Sequence, residues 1–460
     1  MGKENAVKKN SIHTLDIEDI TDLGFGVAKL DGIVVFVSDT VPGDRAEVKI
    51  IKVNSSYLIG KCERLIERSP MRVTNRCTED GCKACAYKCI SYETEAKMKE
   101  NGVRRLFEGD GIQTLPIIPS VSETRYRNKA QYPIALRNGE YEVGFYAPKS
   151  HRVTPVRDCV LTPKIFSQII DTLKAYFKKH ALSVYDEERG CGLLRHVYLR
   201  RGEVSGEVLV TLVINGTSLP HTDEIVSTLT AQYPEIVGIL LNVNREDTNI
   251  ILGDEYVTLF GRDHIFDTLS GVKLKITAPA FYQVNHGTAE VLYREARHLA
   301  APEPDDTLLD LYCGAGSIGL SMADAVGEVI GIEIVESAVE CANENARAGG
   351  ITNAKFYTGN AKNTERLLER AEHELGRKIN PDIIILDPPR GGCDEELIAF
   401  SSSLSPKKIV YISCNPKTLA RDVKRFSEYG YLTDSVLPVD MFPGTGHVES
   451  VVCLTRRLDN

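Results

Sequence analysis

The sequence predicts an α/β protein whose C-terminal part is a doubly wound parallel sheet, preceded by a small β-barrel and a mixed α+β region. From about residue 304, apolar segments alternate with helix-like segments, which is the pattern of a parallel sheet covered by helices on both faces. Residues 11–66 contain short alternating strands broken at turn residues, as in an OB-like barrel. A length of 460 residues leaves room for two to four domains.

Composition and charge argue against some classes of protein. Hydrophobic residues make up 42% of the chain, but mainly apolar segments such as residues 329–335 are too short to cross a bilayer. No secretory signal is visible at the polar start of the sequence. The net charge of −9 argues against a wholly basic nucleic-acid binder but leaves room for a local basic face. We therefore expect a cytoplasmic monomer that does not contact membranes.

Aromatic and basic residues in the N-terminal half raise the question of nucleic-acid binding. Phe25, Phe36 and Tyr57 of the predicted barrel could stack on bases, although each, taken singly, is better explained as part of the barrel interior. Residues 123–159 hold seven Lys or Arg and four acidic residues, with tyrosines interleaved. This stretch predicts either a nucleic-acid face or an ordinary solvated face of a sheet.

A glycine loop opens the parallel sheet. The segment DLYCGAGSIGL places Gly314, Gly316 and Gly319 after a predicted strand and before a helix, where glycine lets the backbone turn tightly and approach a ligand. Glu333 ends the next strand and could hold ribose hydroxyls. Taken literally, this is a dinucleotide-binding fingerprint, but it suits S-adenosylmethionine equally well. The motif therefore predicts the fold better than the ligand.

Two further segments follow predicted strands of this sheet. The sequence LDPPRGG places Asp387 and a rigid pair of prolines after the fourth strand, and Cys414 ends the next strand. Parallel strands end on one side of a sheet, so we expect the glycine loop, Glu333, Asp387 and Cys414 to surround one cleft. A dehydrogenase requires neither a thiol nor this proline loop there. A cysteine at such a position, considered alone, is more often a small buried apolar side chain.

A thiol, an acid and a base in one cleft suit transfer of a methyl group to carbon 5 of uracil. That carbon is a weak nucleophile until a thiolate adds to carbon 6, and a base must afterwards remove the proton from carbon 5. Cys414 can supply the thiolate, Asp387 an acid that hydrogen-bonds the ring, and Glu449 in GHVESV the base. Without Cys414, Glu449 would be taken as an ordinary acid on an edge strand.

Four of the twelve cysteines are clustered in the segment RCTEDGCKACAYKC. They are Cys77, Cys82, Cys85 and Cys89. A disulfide framework is not expected in a large cytosolic chain, so the clustering indicates a metal or iron–sulfur site.

Several of these motifs together resemble those of the RNA uracil-5-methyltransferase family. The matching segments are DPPR, SCNPKTLARD, HVESV and, upstream, FYQVN, and the resemblance extends over nearly the whole chain. It implies a Rossmann-like class I methyltransferase domain, an N-terminal TRAM domain with an OB-like barrel, and a mixed α+β central domain. It also implies that a helix near residues 92–107 packs with the C-terminal domain. The implied division is 1–67 for the RNA-binding barrel, 68–90 with 122–270 for the central iron–sulfur and RNA-binding domain, and 91–121 with 271–460 for the catalytic domain.

The resemblance also implies roles for individual residues. Cys414 would be the nucleophile, Glu449 the general base, and Asp387 would lie at the boundary between S-adenosylmethionine and uracil. The residues implied to contact S-adenosylmethionine are Gln283, Tyr312, Ser317, Glu333, Asn360 and Asp387. A [4Fe–4S] cluster is implied, with zinc as the rival because four thiolates suit it as well. The implied ligands are Cys77, Cys82, Cys85 and Cys159.

Other functions remain open at this point. The glycine loop alone is compatible with an NAD-dependent oxidoreductase. A radical S-adenosylmethionine enzyme requires a cysteine spacing other than the gaps of four, two and three residues found here. A non-catalytic RNA-binding protein is the third alternative. We expect 23S rRNA as the substrate, with tRNA as the alternative, and the sequence does not show which uridine, or how many, would be modified.

Overall fold

The computed structural model of the chain describes residues 7–74, 77, 79, 81–147, 150–360 and 366–456. Three large sheets form the framework of the described structure, and apolar cores pack against each of them. None of the helices in these ranges is long and apolar enough to cross a membrane.

The N-terminal sheet is built from six short strands. They are β1 Ile12–Asp16, β2 Asp19–Ile20, β3 Gly26–Leu30, β4 Ile33–Ser38, β5 Arg45–Val53 and β6 Tyr57–Glu67. Their order is β1-β5-β6-β4-β3-β2, with β4 and β6 parallel and the other neighbours antiparallel. Val35, Val37 and Leu58 point into one core, as the period of two in the sequence requires. The small all-β region is therefore confirmed, with β1 and β2 as its edge strands in the described part of the chain.

Two aromatic residues of this sheet lie outside its core. Phe36 and Tyr57 project from β4 and β6 on the face opposite to Val35 and Leu58, and their rings meet edge-on with centroids 5.5 Å apart. Tyr57 keeps 36% of its surface exposed. The expectation that each would fill the barrel interior was wrong for these two residues, because alternation along a strand places them on the outer face. Phe25 is also only partly buried.

Helix α1 spans Tyr92–Phe107, the bounds expected from the sequence, and a short strand, β7, follows at Gln113–Thr114. Ser91 caps the helix by accepting a hydrogen bond from a backbone N–H of the first turn. Although α1 precedes the central sheet in the chain, it buries Val103 and Phe107 in the core of the C-terminal sheet. The domain boundaries themselves stay a prediction.

The central region contains a second sheet. Its strands are β8 Lys129–Arg137, β9 Glu140–Tyr146, β10 Val153–Pro155, β11 Leu194–Arg201, β12 Val208–Ile214, β13 Ile236–Val243 and β14 Glu255–Gly261. Their order is β10-β9-β8-β11-β12-β13-β14, and the helices α2 Lys164–Lys179 and α3 Thr222–Gln232 share their core. A hairpin of β15 His264–Leu269 and β16 Val272–Thr277 follows. The mixed α+β character of this region is confirmed.

The C-terminal region is the doubly wound sheet that the sequence predicts. Its strands are β17 Thr307–Leu311, β18 Glu328–Glu333, β19 Ala354–Thr358, β20 Ile383–Leu386, β21 Lys408–Ser413, β22 Tyr431–Leu432, β23 Ser435–Val439 and β24 Glu449–Arg456. Its helices are α4 His286–Ala300, α5 Ser317–Met322, α6 Glu336–Ala348, α7 Glu369–Leu375, α8 Glu395–Ser403 and α9 Pro416–Glu428. The strand order is β19-β18-β17-β20-β21-β24-β23-β7, with β22 beside β24. The first five are parallel, β24 runs antiparallel between β21 and β23, and apolar cores cover both faces.

Candidate active site

The glycine loop follows β17 and ends where α5 begins. Tyr312, Gly314 and Gly316 have positive φ angles of 63°, 54° and 80°. A Cβ at Gly316 would lie 2.8 Å from the ring of Phe356, so only glycine fits there. A positive φ is strained at Tyr312, and strain of this kind is concentrated where a backbone is shaped around a ligand.

Two carboxylates hold this loop and the start of α5. Oδ2 of Asp310, near the end of β17, accepts a hydrogen bond from the N–H of Gly319 at 2.9 Å. Oε2 of Glu333, at the end of β18, accepts one from the N–H of Gly314 at 3.1 Å. The other oxygen of Glu333 accepts the N–H groups of the next two residues at 2.8 and 3.0 Å. The loop is therefore tied to both strands, with the Glu333 carboxylate at the edge of the cleft.

Ser317 connects the loop to the floor of the cleft. It opens α5, and its hydroxyl meets that of Tyr293 from α4 at 2.9 Å. Burial raises the pKa of Tyr293, and the charges of Asp387, Asp310 and Glu449 add to the rise. Side chains from three strand ends therefore share one electrostatic environment around Tyr293.

Cys414 and Glu449 come together through the pairing of β21 with β24. In this antiparallel ladder Ser413 lies opposite Ser450, so the next position of the same register sets Cys414 opposite Glu449. The other neighbour of β21 is β20, which Asp387 directly follows. The antiparallel strand thus brings a C-terminal acid to the carboxyl ends of the parallel strands.

Burial and neighbouring charges shift the pKa values of these three groups upward. Burial, then the negative charges of Glu449 and Asp387, raises the pKa of Cys414 to about 11, while Arg390 acts in the opposite direction. Burial raises the pKa of Asp387 to about 7. It raises the pKa of Glu449 well above its usual range, helped by Asp387 and opposed by Arg390. Oε2 of Glu449 has no hydrogen-bond partner among the described residues, which leaves it available to a ligand.

The PPRGG loop after β20 is fixed to α9. Asn415 caps α9 and donates from Nδ2 to the carbonyl of Arg390 at 3.0 Å. The buried Asp422 accepts hydrogen bonds from the N–H of Cys393 at 2.9 Å and from the hydroxyl of Tyr411 at 2.7 Å. The loop is therefore held beside the end of β21.

Arg390 pairs with His447, which lies two residues before Glu449. The guanidinium of Arg390 meets Nε2 of His447 at 3.2 Å. Partial burial, and then the positive charge of Arg390, lowers the pKa of His447. A neutral imidazole can accept this hydrogen bond, so Arg390 stays oriented with its charge near Cys414 and Glu449.

Two more residues, Gln283 and Asn360, were predicted to contact S-adenosylmethionine. Neither follows β17, β18, β20 or β21. Gln283 is buried between β16 and α4, and its carbonyl accepts a hydrogen bond from Asn128 at 2.9 Å. Two residues later, Asn285 donates to the carbonyl of Met441 at 3.0 Å, which joins this segment to the chain leading to β24. Asn360 follows β19 and is exposed, and residues 361–365 after it lie outside the described residues.

The four cysteines expected to bind a cluster lie near one another. Burial, then the charges of Cys159, Cys82 and Cys77, raises the pKa of Cys85 to about 12. Cys77 and Cys85 also line the same small cavity. Within the described ranges, no three His, Cys, Asp or Glu side chains are arranged as metal ligands. The fold therefore gathers thiol groups of the type that a cluster or zinc requires, without showing a completed site.

Three groups at the site were not predicted from the sequence. Asp310 is a lone acid in the apolar strand TLLDL, a signal that could have been used, and burial raises its pKa to about 7. Tyr293 lies on α4 with no local pattern that marks it. Arg390 belongs to DPPR, but its influence on Cys414 and Glu449 depends on the fold of the loop.

Comparison with known sequences identifies the family to which this cleft belongs. The sequence model of the tRNA (uracil-5-)-methyltransferase family matches residues 92–457. The chain belongs to this family. A TRAM domain matches residues 6–62, the part of the methyltransferase that folds as the N-terminal sheet. An oxidoreductase and a non-catalytic RNA-binding protein are thereby set aside, and the enzyme is an RNA (uracil-5-)-methyltransferase.

Relatives match this methyltransferase over its whole length. Uncharacterized RNA methyltransferases of Oceanobacillus iheyensis and Halalkalibacterium halodurans are 37% and 38% identical, over 99% of this chain and 98% and 99% of the relatives. The solved structure of the Pyrococcus abyssi tRNA (uracil-54, C5)-methyltransferase in complex with S-adenosyl-L-homocysteine has a TM-score of 0.78 and 26% identity, over 96% of this chain and 100% of that one. S-adenosylhomocysteine is S-adenosylmethionine without its methyl group, so these matches support S-adenosylmethionine as the methyl donor.

Proposed function

We propose that this methyltransferase forms 5-methyluridine in RNA through a covalent adduct between Cys414 and carbon 6 of uracil. The observation that carries the proposal is the register of β21 with β24, which pairs Ser413 with Ser450 and so brings Cys414 close enough to Glu449 for the charge of the acid to raise the pKa of the thiol. Asp387 follows the neighbouring strand. A nucleophile, a proton acceptor and a partner for the ring are thus available in one cleft.

The chemistry requires a nucleophile and a general base from the chain. The thiolate of Cys414 adds to carbon 6 of a uridine that has left its stack, and this makes carbon 5 nucleophilic. S-adenosylmethionine supplies the methyl group as a sulfonium and leaves as S-adenosylhomocysteine. Glu449 then accepts the proton from carbon 5, and the electron pair left behind expels the thiolate and restores the double bond. Because burial raises the pKa of Glu449, this carboxylate is a stronger base than an exposed glutamate.

The methyl donor is proposed to bind along the glycine loop. Glu333 would accept the ribose hydroxyls, and the apolar side chains of Ile334 and Val335 beside it, 57% and 51% exposed, suit the adenine ring. The remaining proposed contacts are Gln283, Tyr312, Ser317, Asn360 and Asp387.

RNA phosphates are proposed to bind the start of β8. Lys129 of this strand lies opposite Arg200 of β11, although like charges in that position destabilise a sheet. Burial, then the charges of Arg200 and Arg127, lowers the pKa of Lys129 to about 8. Arg200 itself is buried and donates to the carbonyls of Ala278 and Ala280, so contacts with the RNA backbone would fall to Lys129 and Arg127, which keep part of their surface exposed.

We propose 23S rRNA as the substrate, with tRNA as the second candidate. The combination of a TRAM domain and a cysteine site favours rRNA through the family resemblance. The solved relative that is named a tRNA (uracil-54, C5)-methyltransferase favours tRNA. Mapping 5-methyluridine in both RNAs from a deletion strain decides between them, since the substrate is the RNA in which the modified base disappears.

The cysteine group is proposed to hold a [4Fe–4S] cluster. Buried thiols that raise the pKa of one another are stabilised as thiolates by a cationic centre. Cys77, Cys82, Cys85 and Cys159 would hold it, and zinc is the rival metal.

A covalent trap tests the adduct mechanism. With 5-fluorouridine at the target position, no proton can leave carbon 5, so we expect the wild-type enzyme to remain joined to methylated RNA in denaturing gels. Cys414→Ala should form neither adduct nor product, and Glu449→Gln should accumulate adduct on unmodified RNA. Cys191→Ala, which changes an exposed cysteine, is the control and should behave as wild type. Turnover by Cys414→Ala would contradict the nucleophile, and normal turnover by Glu449→Gln would contradict the base.

A further inference from the structure

A buried ion triad joins α1 to the loop between β23 and β24, residues 440–448. Nζ of Lys99 lies 2.6 Å from Oε1 of Glu95 and 2.8 Å from Oδ1 of Asp440. These side chains are only 1%, 4% and 0% exposed, respectively. Asp440 directly follows β23, so the triad connects a helix from the first quarter of the chain to the C-terminal sheet.

Each member of the triad also bonds to the backbone of the β23–β24 loop. Lys99 donates to the carbonyl of Phe442 at 3.1 Å. Oε1 of Glu95 accepts the N–H of Gly444 at 2.7 Å, and Oδ1 of Asp440 accepts the N–H of Phe442 at 3.1 Å. The triad therefore sets the path of the first half of the loop.

Hydrogen bonds continue from the triad to the active site. The carbonyl of Phe442, which accepts from Lys99, also accepts from the hydroxyl of Thr445 at 2.8 Å. The backbone N–H of His447 donates to the same hydroxyl at 3.3 Å, and its ring meets Arg390. The residue two positions after His447 is the proposed base, at the start of β24.

Stability alone is a weak reason for such a triad. Removing charges from water costs several kcal/mol for each ion, and apolar residues of similar volume often serve stability equally well. Charged hydrogen bonds are, however, short and directional. Three such hydrogen bonds to the backbone of the β23–β24 loop can hold it in a single conformation.

We propose that Lys99, together with Glu95 and Asp440, is a positioning group for the general base: it sets the β23–β24 loop and thereby aims Glu449 at carbon 5 of the bound uracil. The inference rests on the proposed function, which assigns proton removal to Glu449. Lys99 does not touch the reacting atoms and acts only through the loop.

Two rates measured in one single-turnover reaction test this role. The RNA carries tritium on carbon 5 of the target uracil, and the donor carries a radiolabelled methyl group, so methyl transfer and proton removal are followed together. The double variant Lys99→Met/Asp440→Asn removes one positive and one negative charge. We expect tritium release to slow about tenfold more than methyl transfer, since small misplacement of a catalytic group costs this much or more. A protein–RNA adduct that survives denaturant should accumulate.

Two further variants complete the experiment. Lys97→Met changes an exposed pair of the same spacing on the same helix, in which Lys97 lies 2.8 Å from Glu93, and both rates should stay as in wild type. Tyr126→Phe removes only the hydroxyl that donates to the carbonyl of Pro443 at 2.9 Å, and should shift the ratio of the two rates in the same direction by a smaller factor.

The possible results distinguish a triad that positions the general base from one that only stabilises the fold. Equal slowing of methyl transfer and tritium release, without adduct, would mean that the triad only stabilises the fold and would overturn the proposal. If the double variant does not fold, an unchanged ratio in Tyr126→Phe would overturn it as well. A wild-type enzyme that forms no adduct with 5-fluorouridine would instead overturn the proposed function itself.

Discussion

Arg390 and two acids shift the pKa of Cys414 in opposite directions. Burial and the charges of Glu449 and Asp387 raise the pKa of Cys414 to about 11, and the guanidinium of Arg390 lowers it. In the free enzyme at neutral pH the thiolate is therefore the minor form of Cys414. The reactivity of Cys414 should depend directly on the one positive charge that the PPRGG loop presents.

Replacement of Arg390 by Met should make Cys414 less reactive. The rate of alkylation of Cys414 by iodoacetamide, followed by mass spectrometry of its peptide, should rise with pH in both proteins because only the thiolate reacts. In Arg390→Met the curve should be displaced to higher pH, with a rate about tenfold lower at a given pH for each unit of displacement. Arg390→Lys, which keeps the charge, should lie close to wild type. Identical curves for wild type and Arg390→Met would contradict this role.

The N-terminal sheet presents an aromatic pair on its outer face. Phe36 and Tyr57 lie on neighbouring strands with their rings 5.5 Å apart, and Lys61 follows on β6 with its side chain exposed. Aromatic rings beside a cation provide a platform on which unpaired bases stack. We therefore propose the outer face of β4 and β6 as a surface that contacts RNA.

Tyr57→Ala should weaken RNA binding without changing the chemistry. We expect a loss of about 1–3 kcal/mol in binding free energy, the range for one stacked base, measured by titration of a labelled substrate RNA. Alkylation of Cys414 should be unaffected. Ile12→Ala, which changes an exposed apolar residue on the edge strand β1, is the control. Equal affinity of wild type and Tyr57→Ala would show that this face does not contact RNA.

Distant parts of the chain meet at the β23–β24 loop. Besides the triad, the loop receives a hydrogen bond from the N–H of Tyr87 to the carbonyl of Gly444 at 3.0 Å, and Tyr87 lies two residues after Cys85. The segment with the clustered cysteines is thus in direct contact with the loop that precedes the proposed base. A cluster bound there would stabilise the same region that the active site depends on.

Anaerobically purified enzyme should be brown and contain iron. Cys159→Ser should lose the visible absorption and unfold at a lower temperature, because binding of a cluster to the folded chain alone stabilises it. Cys89→Ser should keep both properties, since Cys89 is not one of the four proposed ligands. A colourless protein with one zinc per chain would contradict the iron–sulfur proposal.

The sequence predicted most of the C-terminal fold because there the local pattern and the tertiary environment agree. Strands buried on both faces read as continuous apolar runs, and the glycine loop follows one of them with glycine where a Cβ would collide. Phe36 and Tyr57 show the limit of this approach. An aromatic residue in an alternating strand suits either face, and only the pairing of the strands decides which face is the core.

The sequence by itself determined the family, the parallel sheet, the bounds of α1 and the residue types that the chemistry needs. Only the tertiary structure decided which of them act together. Glu93–Lys97 and Glu95–Lys99 have the same spacing on one helix, yet the first pair is exposed and the second is buried against Asp440, 341 residues after Lys99. The physical reason is that charge and spacing are local properties, whereas burial and the register of β21 with β24 depend on how distant segments pack.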